Sequence, residues 1–205
     1  MWEERLNEFV TLLVVVNPIA AVPFFLALTR GQDAATRRKI AVSAVLISFC
    51  VLVAFIIGGG FLLQKMGIAL RAFQIAGGIV LFLVALNMLT GDAKTPPPAS
   101  PEEAMALAAY PLAIPKIAGP GTMLTVVVLT DDHRFDVFQT AATTGVLAVV
   151  LIIQLALLFL AVPLSRLIGE TGANILGRIM GMLLVALAVN LILTGFGSWL
   201  NLPKL

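Results

Sequence analysis

From Ile40 to Leu63 the chain carries no Asp, Glu, Lys or Arg. A helix of that length covers roughly 36 Å at about 1.5 Å per residue, enough for a hydrocarbon core of about 30 Å. Five further apolar runs of comparable length lie near 7–29, 70–90, 106–130, 137–167 and 173–198. A chain of 205 residues has no soluble interior large enough to hide six such runs. Composition agrees: 60% of residues are hydrophobic and 12% charged, against about 25% charged in soluble domains. The spacing predicts an all-α polytopic membrane protein with six transmembrane helices, its charges gathered in connectors such as "RGQDAATRRK" and "DDHRFD". The opening "MWEERLNEF" lacks a following small-residue cleavage site, so the first run is expected to stay in the mature protein.

The runs fall into related halves. The third ends "VALNMLTG" at 84–91 and the sixth "VALAVNLILTG" at 185–195; the first holds Asn17-Pro18 before Thr29, and the fourth Gly119-Pro120 before Thr130. Such ordered matches predict a duplication, with repeats at 1–91 and 106–205 joined by a Pro-rich linker at 92–105. Three helices per half make the second copy enter from the opposite face, so the repeats are inverted in the membrane, as in many transporters. The side holding "RGQDAATRRK", Lys94, Arg166 and Arg178 has the larger share of Lys and Arg, which places both termini outside.

Two runs carry helix breakers at mid-depth. Asn17 lies ten residues after Asn7, about 15 Å along a helix and half the hydrocarbon thickness; Gly119 lies at a matching depth in the fourth run. Proline lacks an N–H and suits the first position of a helix, so each span is expected to unwind and restart at Pro18 or Pro120, capped by Asn17 or Gly119. Each restart leaves free amides and about half a positive charge. Two such ends facing one another match one carboxylate, while unwound carbonyls near Val16 and Ala118 can accept from an ammonium group. The candidate substrate-binding set is therefore Asn17, Pro18, Ile19, Ala20, Gly119, Pro120, Gly121 and Thr122, and the chemistry it suits is a small zwitterion.

The words "NPIAAVPFFLALT", "FQIAGGIVLF" and "PLAIPKIAGPGT" resemble those of the MarC/SnatA family of six-span membrane proteins, over nearly the whole chain. The resemblance implies a transporter of small neutral amino acids such as glycine and alanine. It places the family's NP motif on Asn17 and Pro18, with Pro23 following, and its GPG motif on Gly119, Pro120 and Gly121. Lys116, just before that motif, is not part of the family pattern.

Pro23, Lys116 and Thr125 are candidates for gating or for the substrate path. A lysine at the depth of Lys116 must either snorkel to the interface or face the path. Cys50 reads as a small packed hydrophobe. All eleven Asp and Glu are assigned to termini or connectors, leaving no intramembrane carboxylate relay, and the single His133 makes no multi-histidine metal site. Hydrolase, metalloprotease and nucleotide-loop motifs are absent, so neither an enzyme nor a resident cofactor or metal is expected. A coupling ion, H⁺ or Na⁺, remains open. A net charge of +2 without a basic stripe argues against nucleic acid. The partners implied are the lipid bilayer of a cell or inner membrane, a small amino acid, and a further copy of the chain through small-residue faces. A multi-solute or drug exporter is the alternative, disfavoured by the 7% aromatic content.

Overall fold

A computed structural model describes residues 2–90, 101–131 and 137–200. The described chain runs α1 (Trp2–Val16), α2 (Pro18–Leu28), α3 (Ala34–Lys65), α4 (Leu70–Thr90) and α5 (Pro101–Leu107), then a π-helical segment (Ala108–Ile117), α6 (Pro120–Asp131) and α7 (Val137–Trp199). Asp33 starts α3 by accepting from the Ala35 and Thr36 amides at 3.2 and 3.3 Å. The Thr36 side chain beside it holds its carboxyl below the usual 3.8.

Among the described residues, Trp2–Leu28, Ala34–Lys65 and Val137–Ala161 are long and apolar enough to cross a bilayer. The bent pair Met105–Ile117 and Pro120–Thr130 makes a fourth span, while Arg71–Leu86 and Gly181–Gly197 are shorter apolar helices. Ile57, Phe61, Val14 and Leu160 are each more than 60% exposed on the outer surface of the bundle. So many large apolar side chains facing outward fit a surrounding of lipid rather than water. Cys50 is exposed as well, against the packed position expected for it.

Two boundaries differ from those read in the sequence. The helix ahead of the fourth span begins at Pro101, inside the predicted linker, where Pro at a first helical position and Glu102 and Glu103 in the first turn favour a helix start. The predicted connector "SRLIGETG" between the fifth and sixth spans is helical within Val137–Trp199. A straight rod of 63 residues would measure about 95 Å, three bilayer cores, and Pro163 interrupts its hydrogen-bond ladder close to the expected turn.

α4 lies antiparallel to the last part of α7, and glycines set how closely they approach. A Cβ on Gly78 would sit 2.7 Å from the Ile192 side chain and 3.1 Å from the Ala188 carbonyl oxygen. A Cβ on Gly181 would sit 2.9 Å from the Leu89 side chain and 3.3 Å from the Ala85 carbonyl oxygen. Each of these three residues follows its counterpart by 103 positions (78 to 181, 85 to 188, 89 to 192), so the crossing is locally two-fold in both geometry and register.

One carboxylate is buried inside a span. Glu8, 8% exposed, takes two 2.8 Å hydrogen bonds from the Arg5 guanidinium and faces the Thr143 hydroxyl at 3.3 Å, while Arg5 also donates to Gln139. This cluster ties α1 to α7 and corrects the assignment of every acidic residue to termini or connectors. Paired and hydrogen-bonded, the carboxylate is tolerable there.

Gln154 is the opposite case: fully buried on α7 among Leu147, Leu151 and Leu158, with neither amide atom partnered. An unsatisfied buried amide costs about 1–3 kcal/mol. Gln154→Leu is therefore expected to raise the melting temperature of purified protein by at least about 2–4 °C. A lower melting temperature would mean that an ordered water or ligand satisfies the amide.

Candidate substrate site at the two helix breaks

The first break is a single residue wide. Asn17 adopts φ 49°, ψ 68°, in the left-handed region, and its side-chain oxygen accepts from the Ala20 amide at 3.3 Å. Asparagine suits the position twice over, tolerating left-handed backbone and capping the restart at Pro18. Five residues on, Pro23 lies inside α2, so the Ile19 carbonyl lacks the amide that would normally bond it. Pro18 is buried, Ala20 half-buried and Asn17 exposed. The Ile19 side chain is 77% exposed and lines no enclosed site, leaving only its backbone available to a ligand.

Asn17→Val removes the cap and forces a β-branched residue to positive φ, which together should destabilise by about 2–3 kcal/mol. Asn17→Gly, which accepts the φ, should lose only a few tenths. Thermal unfolding in detergent would rank them. A valine variant as stable as the parent would show that the restart does not depend on the cap.

The second break is wider than the Gly-Pro pair suggested. Tyr110 (φ −136°, ψ 128°) and Ile114 (φ −123°, ψ 123°) are extended inside the π-helical segment, and each precedes a proline. Proline disfavours the helical region for its predecessor, so Pro111 and Pro115 unwind the chain well ahead of Gly119. The axes on either side meet at 56°. A Cβ on Gly119 would lie 2.3 Å from the Pro115 carbonyl oxygen, so only glycine fits at the narrowest point.

α6 then restarts with Pro120, which has no N–H, and the Gly119 carbonyl accepts from Met123 at 2.8 Å. The amides of Gly121 and Thr122 face out of the first turn without an intrahelical acceptor. The Thr122 hydroxyl donates to the Ile117 carbonyl at 3.0 Å and that of Thr125 to the Gly121 carbonyl at 2.8 Å. Both threonines thus brace the broken backbone, their oxygens still able to accept from a ligand. Thr29 and Thr130 close the two restarted helices alike, donating to Phe25 at 2.8 Å and Val126 at 2.7 Å.

The two spans pack crosswise. α1, before the first break, packs on α6, after the second, and α2 touches the π-helical segment. The two spans therefore run antiparallel, the first passing its one-residue break as a single 27-residue span and the second bent by 56°. α4 closes the second break: Gly77 lies so near Pro120 that a Cβ would fall 1.6 Å from its ring. Gln74, one turn from Gly77 on the same face, is buried, and so is Lys116. The Lys116 stem is covered by its neighbours. Sequence reasoning missed Pro111 and Pro115, although two X-Pro pairs four residues apart in a span were a visible signal.

Apolar helices of membrane-spanning length that expose their hydrophobic faces define an all-helical integral membrane protein. The chain belongs to the MarC family: the profile described as "MarC family integral membrane protein" matches residues 2–200. It is 37% identical to the UPF0056 membrane protein YvbG of Bacillus subtilis (strain 168), across 95% of both chains. Identity is 34% to a UPF0056 membrane protein of Aquifex aeolicus (strain VF5), covering 95% of this chain and 93% of that one. It is 30% to the UPF0056 inner membrane protein YhgN of Escherichia coli (strain K12), covering 97% and 98%. No solved structure matches the chain.

Proposed function

We propose that this protein is a secondary carrier of small neutral amino acids such as glycine and alanine, bound between the restarts at Pro18 and Pro120. The observation that carries this reading is the crosswise packing of α1 on α6 and of α2 on the π-helical segment, which supports an arrangement with the two breaks facing one another. Irregular backbone at that depth is tolerated where it lines a cavity or is buried in protein. Restart amides supply about one positive charge for a carboxylate, and the freed Ile19 carbonyl accepts from an ammonium group.

Six spans arranged as two inverted repeats, 1–91 and 106–205 about the 92–105 linker, are the frame for this site. The 103-residue register of the α4–α7 crossing and the matched Thr29 and Thr130 closures support it. Alternating access then consists of one repeat rocking against the other. The setting is the cell or inner membrane, as the name of the Escherichia coli relative has it for that protein, with both termini outside.

The test is counterflow of labelled alanine in vesicles holding the purified protein. Saturable uptake that L-alanine inhibits better than D-alanine is the expected result. Unsaturable or non-stereoselective flux would replace the carrier by a channel or by a multi-solute exporter of the same architecture.

A further inference from the structure

Gln154 is fully buried in α7, and neither polar atom of its amide has a partner among the described residues. A polar group withdrawn from solvent and left unmet signals a ligand, a water or a cost in stability. Its level in the bundle decides among these. Glu8 of α1 faces Thr143 of α7, and Arg5, three residues before Glu8, reaches Gln139, four residues before Thr143, so the two helices advance in the same direction. Gln154 stands eleven residues beyond Thr143, three turns or about 16 Å further along and on the same face. The buried face of α1 runs beside it through Glu8, Leu12 and Val16, at the levels of Thr143, Leu147 and Leu151. The next level holds the break: eleven residues beyond Glu8 is Ile19, directly after the left-handed Asn17 and the restart at Pro18. The levels stay matched because the first span passes the break as a single 27-residue span, and α2 packs on α7 as α1 does. Large buried side chains fill the earlier levels of α1, whereas here the Ile19 side chain turns outward at 77% exposure and leaves the small Ala20 and the freed Ile19 carbonyl.

An amide carries a donor and an acceptor side by side in one plane. An α-amino acid presents the complementary pair, a carboxylate and an ammonium on one carbon. We propose that Gln154 is a substrate-binding residue of the carrier, its Nε2 donating to the carboxylate and its Oε1 accepting from the ammonium, so that α-amino acids are preferred over isomers whose two charges stand further apart. The assignment rests on the carrier reading above and narrows its cargo. In the empty protein the unmet amide costs stability, and in the occupied one the solute satisfies it, a trade-off common at binding sites. A site built on a buried hydrogen-bonding group also rejects ligands that leave that group unpaired more strongly than an apolar pocket rejects a misfit.

The experiment measures binding of L-alanine and of its isomer β-alanine to the full-length protein in nanodiscs, at one pH and with sodium present. Wild type is compared with Gln154→Leu and Gln154→Met. Wild type is expected to bind L-alanine at least about tenfold tighter than β-alanine. Both variants should lose about tenfold or more for L-alanine and under about threefold for β-alanine, while melting at or above the wild-type temperature without ligand. That combination separates an amide that meets a ligand from a structural one, whose removal would lower affinity and melting temperature together. L-alanine affinity within about twofold of wild type in the variants, or equal binding of the two isomers by wild type, overturns the role of Gln154 and leaves the carrier reading standing. So does a loss of affinity in variants that melt below wild type, or the failure of both to fold. A wild-type protein that binds neither isomer overturns both.

Discussion

Gly77→Leu is expected to give no folded protein in detergent, and Gly77→Ala alone should lower the melting temperature by up to about 8 °C. The reason is geometric. A Cβ at residue 77 falls 1.6, 2.3 and 2.9 Å from three ring carbons of Pro120, so α4 and α6 must separate to admit it. Pro120 cannot give way easily, because the adjacent Gly119 is pressed against the Pro115 carbonyl. Overpacking of this kind costs typically 1–3 kcal/mol and occasionally more, and here the gain in helix propensity from Gly to Ala, about 1 kcal/mol, works against it. Gly58→Ala isolates that gain, because nothing lies within 4 Å of a Cβ at Gly58. The same chemical change should therefore stabilise at 58 and destabilise at 77. If Gly77→Ala melts at or above the parent temperature, α4 does not rest on the break as described.

How much of this was readable beforehand depends on how local each cause is. Helix restarts at Pro18 and Pro120 follow from the chemistry of one or two residues, and so do the caps at Asn17 and Asp33. The 110–115 distortion has equally local causes, in Pro111 and Pro115, yet it disappears into the apolarity of the run when hydropathy alone sets the span. Burial of Glu8 depends on Thr143 and Gln139, more than 130 positions away in the chain, and nothing in "MWEERLNEF" announces it. Lys116 was undecidable for the same reason: a lysine's snorkelling depends on which neighbours cover its stem. The repeat shows the limit from the other side. Its words recur in sequence, but VAL recurs after 101 positions and LTG after 104, and only Asn87 and Asn190 keep the 103-residue register of Gly78 and Gly181, because the insertion in "VALAVNLILTG" shifts the alignment inside the motif.

Gly121→Leu separates the break as a site from the break as a bend. Gly121 is half-buried in the first turn of α6, and a Cβ there meets only the Leu191 side chain at 3.4 Å, ordinary contact distance. Leucine should therefore fold, with a melting temperature within about 4 °C of the parent, as for a change of about 1 kcal/mol. Its remaining carbons leave from the turn whose amides would receive a carboxylate. A small solute approaching bare backbone loses its place to them, so uptake should fall below a tenth of the parent rate, and Gly121→Ala should lie between. Gly145→Leu provides the control, placing the same side chain where a Cβ meets nothing within 4 Å, and should transport normally. Full uptake by Gly121→Leu at an unchanged melting temperature would move the substrate path away from α6. The second interruption would then be a structural bend, and its 56° angle would need an explanation in packing alone.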